Sequence, residues 1–218
     1  MFDLVINHCS RENLWFADFV GGREPGCDYF HEMPSMVGLE SVVRPRNSPL
    51  LTHVHTYQGI KRVWTTFSDD QIDLNFANPE VLCEFVHILF SYIAQGARFI
   101  RLDAIAFLWK ELGTSSINLE QTHCVVRVLR ALIDEMQTQT LLLTETNLPH
   151  NENVSYFGSR DEAHLVYQFS LAPLILYSYL FNDGQYLGQW AEQLEPPPAG
   201  CSFCLLYTSD AADEAIGV

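Results

Sequence analysis

The sequence predicts an α/β fold in which short apolar strands alternate with amphipathic helices and line up as a parallel sheet of the barrel kind. Three observations predict it. Two apolar stretches, Ala97-Arg-Phe-Ile-Arg-Leu-Asp103 and Thr140-Leu-Leu-Leu-Thr-Glu145, each have the length of a strand and each end in an acid. The second acid comes 42 residues after the first, and the interval holds one helical stripe, which is the content of a single strand, helix, strand unit. The same alternation continues beyond Glu145. In a parallel barrel, acids at the C-terminal ends of neighbouring strands open onto one mouth.

Taken in order, Phe2-Asp-Leu-Val-Ile-Asn-His8 is a buried strand with a polar end. Met1 falls directly before it, so the start is expected to be a cut rather than a natural beginning. From Cys9 to Ser68 periodicity is lost and Gly21-Gly22, Pro25-Gly26, Pro34, Pro45, Pro49 and Gly59 accumulate, the pattern of a functional loop or small subdomain. His53 and His55 invite a metal reading but lack a third ligand at matching spacing. Asp69-Asp-Gln-Ile-Asp73 matches a D-D-x-x-D magnesium motif without the long helix that would aim its acids. Asn78-Pro79 supplies an N-cap and a first-turn proline, Val81, Leu82, Phe85, Ile88, Leu89, Tyr92 and Ile93 the apolar stripe, and Gly96 the stop.

In the next strand, alternation puts Phe99, Arg101 and Asp103 on one face and Ile100 and Leu102 on the other. The apolar face is expected to meet helices. Arg101 beside Asp103 favours the ionised carboxylate; the bland alternative is a structural ion pair. Phe107 to Ser116 is a loop, Asn118-Leu-Glu-Gln121 a helix start, and Val125, Val128, Leu129, Leu132, Ile133 and Met136 the stripe that follows. Strand Leu141 to Glu145 leads into a polar loop with the sequon Asn153-Val-Ser155. Leu165 to Phe169 is a further strand, and Pro173 to Phe181 and Tyr186 to Leu194 are helices.

Composition narrows the function classes. The chain is 48% hydrophobic and 18% charged, enough for one sizeable core. A net charge of -15 argues against nucleic acid, whose binding depends on Lys and Arg. Neutral, sugar-like substrates remain compatible. Apolar runs stop short of the roughly 18 residues of a membrane span. Cys9, Cys27, Cys83 and Cys124 lack metal or disulfide spacing and are expected to be buried free thiols, which suits a reducing, cytoplasmic setting. Cys201-Ser-Phe-Cys204 matches C-x-x-C but follows three prolines rather than opening a helix. Two carboxylates facing one mouth are the apparatus of retaining glycoside chemistry, one attacking the anomeric carbon and the other protonating the leaving oxygen.

At this point the chain resembles the α-amylase superfamily, glycoside hydrolase family thirteen. Asp3-x-Val5-x-Asn7-His8 is similar to the family's first signature, Arg101-x-Asp103-Ala104 with Lys110 to its second, and the acid of Thr144-Glu145 to its third. Val63-Trp-Thr-Thr-Phe-Ser-Asp-Asp-Gln-Ile-Asp-Leu-Asn75 and Phe107-Leu-Trp-Lys-Glu-Leu-Gly-Thr114 resemble the branch that holds sucrose phosphorylase and glucosylglycerate-phosphorylase-like members. The likeness runs from Phe2 to about Phe203.

The resemblance implies a partial TIM (β/α)8 barrel of about strands 3 to 7, with a domain B insertion after strand 3. Residues 1–8 would be barrel strand 3, residues 9–68 the insertion, and residues 69–203 barrel strands 4 to the start of 7. It implies Asp103 as nucleophile, Glu145 as general acid/base, Arg101 as the partner orienting Asp103, His8 as a sugar contact and Gln71 as a pocket residue. Asn7 corresponds to a calcium ligand in many amylases, but this branch generally works without calcium, so no metal is expected. No cofactor is expected either, with inorganic phosphate as co-substrate, a small carbohydrate as partner, and neither nucleic acid nor membrane. The departures are the absent fourth signature, a His-Asp pair due soon after Phe203, and with it strands one, two and eight and the third catalytic acid. Residues 204–218 instead resemble a translated sequencing adapter and are expected to be a non-native tail. The rival expectations are an α-glucoside hydrolase or transglucosidase and a non-catalytic amylase-like subunit.

Overall fold

The computed structural model of the chain describes residues 1–34 and 37–205. The chain opens with β1 (Phe2–Val5), bends at Ile6 and Asn7, and continues into β2 (His8–Ser10). An excursion follows with α1 (Leu14–Gly21) and the hairpin of β3 (Leu51–Thr56) and β4 (Gly59–Trp64). Next, β5 (Gln71–Asp73) returns to pair antiparallel with β2. From there helix and strand alternate: α2 (Pro79–Ala94), β6 (Phe99–Asp103), α3 (Glu120–Glu135), β7 (Leu141–Thr144), the short α4 (His150–Val154), and β8 (Leu165–Gln168). The described part ends with α5 (Leu171–Phe181), α6 (Gln185–Gln193) and β9 (Ser202–Leu205).

β1, β6, β7, β8 and β9 lie side by side in that order and every pairing is parallel. Five successive parallel strands with helical crossovers make a partial α/β barrel. Alternation along β6 sorts its side chains as the sequence predicts. Ile100 and Leu102 are fully buried, and with Leu4, Leu142 and Val166 they share one core with Val81, Phe85 and Leu89 of α2 and Val125, Val126, Leu129 and Ile133 of α3. The other face carries Asp3 beside Arg101 and Val5 beside Asp103.

Local chemistry sets the helix ends. The Asn78 side chain accepts the Glu80 N–H at 3.0 Å, Pro79 occupies the first turn, and Gly96 takes the left-handed conformation just past the C-terminus. α3 departs from the expected start. Asn118 caps nothing: it stands at φ 55°, its Oδ1 is buried without a hydrogen bond, and Leu119 holds the N-cap position. The buried face of α3 is also rotated, with Thr122, His123 and Val126 inside and Val128 and Met136 about two-fifths exposed. Polar partners explain the rotation: Thr122 Oγ1 accepts from Trp109 N, and His123 Nδ1 lies 2.7 Å from the buried Glu162 carboxylate.

Among the described residues, 9–68 contribute no strand to the parallel sheet. They contain more order than a loop. Asn13 caps α1 by accepting the Trp15 N–H at 2.8 Å, and Gly22 ends it at φ 65°, where a Cβ would lie 2.0 Å from the Tyr57 ring. Met33, Leu39, Leu50, Leu51 and Trp64 form a small core of their own, while Phe16, Phe19, Phe30, Val54 and Val63 join the main one.

The expectation that the cysteines are buried needs correcting. All six cysteines are free, but Cys83 and Cys124 are exposed and the rest only half-buried. Amphipathic helices leave room for a thiol on the wet face. Cys201 and Cys204 flank and lie on β9 and are not bonded to each other; burial pushes both thiols up, away from redox reactivity. Asn153 of the sequon is buried, donating to the Tyr167 carbonyl at 2.7 Å and hydrogen-bonded to the Thr146 hydroxyl, so it is closed to glycosylation in this fold. Of the expected non-native tail, Cys204 and Leu205 continue β9 opposite Tyr167 and Gln168, and residues 206–218 lie outside the described residues.

Candidate active site

β6 and β7 are adjacent, and Leu102 is the register partner of Thr144. One residue further along each strand come Asp103 and Glu145. In-register neighbours point the same way from a parallel sheet, so both carboxylates rise from the same face at the same end. Backbone geometry fixes the second acid. The Glu145 N–H donates to the Leu102 carbonyl at 3.0 Å, and Glu145 Oε2 accepts the Ala104 N–H at 2.8 Å. That N–H is aimed by Ala104 itself, which leaves the strand at φ 49°, a left-handed conformation that costs a non-glycine residue roughly 1 kcal/mol.

Arg101 lies two residues before Asp103 on the same face. Its Nη1 is 3.0 Å from Asp103 Oδ1 and 3.3 Å from Asp3 Oδ2, with the guanidinium side chain only 4% exposed. One cation therefore braces two acids from two strands. The sequence pairs Arg101 with Asp103; the second acid, Asp3, emerges only from the β1 to β6 register.

His8 and Gln71 meet through the β2 to β5 pairing, their Nε2 atoms 2.9 Å apart. His8 is three residues beyond Val5, the register partner of Asp103, and so belongs to the same end of the sheet. Its ring lies 5.4 Å from that of Phe67. Burial pushes the His8 pKa down, outweighing the opposing pull of Asp73, with Lys110 lowering it further. The imidazole is therefore neutral near pH 7.

Behind His8 is a cluster that sequence reasoning missed as a unit. Asp73 is fully buried; its Oδ1 accepts the Thr66 N–H at 2.8 Å, and its Oδ2 meets Thr66 Oγ1 at 2.5 Å, Asn7 Nδ2 at 3.2 Å and Lys110 Nζ at 2.7 Å. Lys110 also donates to Asn7 Oδ1 at 2.8 Å and to the Phe107 carbonyl. Burial pushes the Lys110 ammonium below its usual range, against the attraction of Asp73. The signal available in the sequence was Asp73 between Ile72 and Leu74: an acid inside an apolar strand needs a cation, and Lys110 is that cation. The ammonium thereby occupies the Asn7 side-chain oxygen.

His53 and His55 lie in β3 opposite Arg62 and Ile60, both solvent-facing. Among the described residues, the grouping of potential metal ligands is Glu24, Cys27 and Asp28, without either histidine.

The chain is 47% identical to the glucosylglycerate phosphorylase of Spirochaeta thermophila, matched over 100% of this chain and 37% of that protein. It is 45% identical to the glucosylglycerate phosphorylase of Escherichia coli K12 over 100% of this chain and 39% of that one. The chain thus spans under two fifths of the length of these curated relatives. In fold it is similar to the crystal structure of sucrose 6F-phosphate phosphorylase from Thermoanaerobacter thermosaccharolyticum, with a TM-score of 0.79 and 22% identity over 95% of this chain and 43% of that one. Residues 1–186 match the family described as alpha amylase, catalytic domain, and the chain belongs to that family.

Proposed function

We propose that this chain carries the nucleophile and the acid/base of a retaining glucosyl transferase that phosphorolyses a small α-glucoside, of the glucosylglycerate or sucrose type, to glucose 1-phosphate. The observation carrying the reading is the in-register pair of carboxylates at the ends of β6 and β7, one on a buried arginine and the other on a backbone N–H. The relatives named glucosylglycerate phosphorylase support phosphate as the acceptor.

In this reading Asp103 attacks the anomeric carbon with a carboxylate oxygen. The bond to the leaving oxygen breaks as Glu145 gives that oxygen a proton. The product is a β-linked glucosyl ester on Asp103. Phosphate then attacks the same carbon from the vacated side, any proton it carries going to Glu145, and the α-phosphate leaves with Asp103 restored. Two inversions give net retention. Arg101 holds Asp103 in line, and His8 and Gln71 contact sugar hydroxyls. No cofactor or metal enters; phosphate is a co-substrate. Residues 9–68 form a domain B-like insertion over the mouth, and the six free thiols favour a cytoplasmic setting.

The test places residues 1–205 in the full-length frame of the Spirochaeta thermophila relative and supplies glucosylglycerate with and without phosphate. Phosphate-dependent release of glucose 1-phosphate, lost in Asp103→Asn, is the expected result. Free glucose at a rate indifferent to phosphate would instead make the protein an α-glucoside hydrolase.

A further inference from the structure

We infer that the buried Asp73–Lys110 pair is a positioning device that fixes which nitrogen of His8 carries its proton, and hence which hydrogen bond His8 offers a sugar. The inference rests on the proposed role of His8 as a sugar contact.

The argument starts from the ammonium. Lys110 has three N–H donors and no acceptor, and all three face oxygens: Asn7 Oδ1, Asp73 Oδ2 and the Phe107 carbonyl. A donor-only group leaves the Asn7 amide one orientation, with its oxygen toward Lys110. Asp73, an acceptor-only group, demands the same orientation from the other side, because it lies 3.2 Å from Asn7 Nδ2. The two charges thus agree, and turning the amide would set oxygen against carboxylate and NH2 against ammonium.

With Asn7 locked, its Nδ2 also faces His8 Nδ1 at 3.3 Å. That imidazole nitrogen must then be the acceptor, so the proton of the neutral ring resides on Nε2. The neighbouring contact follows. Gln71 Nε2 is placed 2.9 Å from His8 Nε2, but a neutral imidazole has a single acceptor nitrogen and cannot receive both amides. One amide has to turn. Asn7 is held by two charges, whereas the far end of Gln71 meets only the Ser68 hydroxyl at 2.9 Å, which can donate or accept. Gln71 therefore turns its oxygen to His8 Nε2–H and its NH2 to Ser68. A relay of fixed polarity runs from Lys110 through Asn7 and His8 to Gln71, and a sugar hydroxyl that takes the place of the Gln71 oxygen meets an imidazole N–H, a donor.

Nitrogen NMR on the 218-residue chain, with labelled histidine, reads the tautomer directly. The expected spectrum near pH 7 has His8 with a protonated Nε2 and an unprotonated Nδ1. A ring protonated on Nδ1 would overturn the inference. The second arm is Asp73→Asn/Lys110→Met, which removes both charges together and so leaves no buried charge unpaired. In it His8 should populate both tautomers, and in the full-length frame kcat/KM should fall in proportion to the lost Nε2–H fraction, about twofold at equal populations. An unchanged His8 spectrum in the double variant would equally overturn it. If no glucoside is turned over in any background, the functional reading fails while the tautomer measurements still decide the inference.

Discussion

Replacing Lys110 with methionine tests the energetic side of this site. The Lys110 side chain is 3% exposed and Asp73 is fully buried, so Lys110→Met leaves a carboxylate in the interior without its cation. Breaking a buried pair from one side costs about 3–5 kcal/mol. Three neutral donors remain on Asp73, from Thr66 N, Thr66 Oγ1 and Asn7 Nδ2, which places the loss near the low end, about 3 kcal/mol. With a urea m-value of about 2 kcal/mol/M, the unfolding midpoint of the chain should drop by about 1.5 M. Because burial pushes the ammonium's pKa down despite Asp73, the intact pair is itself costly, and Asp73→Asn/Lys110→Met should return to within about 1 kcal/mol of the parent. A single variant within about 1 kcal/mol of the parent, or a double as damaged as the single, would refute the reasoning.

Three further outcomes follow from other residues. His31 has a buried Nε2 without a hydrogen-bond partner, and its pKa is pushed down to about 3, chiefly by burial. Its folded pKa lies below the unfolded value of about 6.5, so the unfolded chain binds more protons in between; the stability is complete above about pH 6.5 and declines as pH falls toward 3, by about 2 kcal/mol at pH 5. Urea midpoints at pH 7 and pH 5 should differ less in His31→Phe than in the parent, and an equal difference would contradict this. Asn153→Ala should cost about 2–3 kcal/mol because it strips the Tyr167 carbonyl of its donor and leaves Thr146 unsatisfied, whereas a change under 0.5 kcal/mol would count against that network. Ala104→Gly relieves a left-handed alanine and should change the urea midpoint by less than the equivalent of about 1 kcal/mol in either direction, unlike a glycine placed mid-helix. A larger loss would mean that the methyl group is itself needed there.

How far the sequence revealed this depended on whether a residue's partner was local. α2 could be read to its ends because its cap, its proline and its stop glycine all lie within its own span. The faces of β6 followed from alternation alone. α1 was signalled by Asn13 and Gly21-Gly22 and the β3 to β4 hairpin by β-branched runs around Gly59, but the prolines and glycines between them obscured both periods. The orientation of α3 was set by Glu162, 39 positions beyond His123, which no stripe of apolar residues could disclose. In the site, Arg101 with Asp103 is a pairing two residues long and was legible. Asp73 with Lys110, Arg101 with Asp3 and Glu145 with the Ala104 N–H depend on strands being brought together, so the second layer of the site had to come from the fold.

The central claim is that Asp103 becomes the carrier of the glucosyl group, and trapping that ester tests it most directly. With residues 1–205 in the full-length relative and Glu145→Gln slowing the second step, α-glucosyl fluoride supplies a leaving group that needs little protonation. Mass spectrometry of the digested protein should then find one anhydroglucose unit on the peptide containing Asp103, released as α-glucose 1-phosphate when phosphate is restored. A glucosyl unit on another residue, or turnover to the β-phosphate with no adduct, would contradict the account.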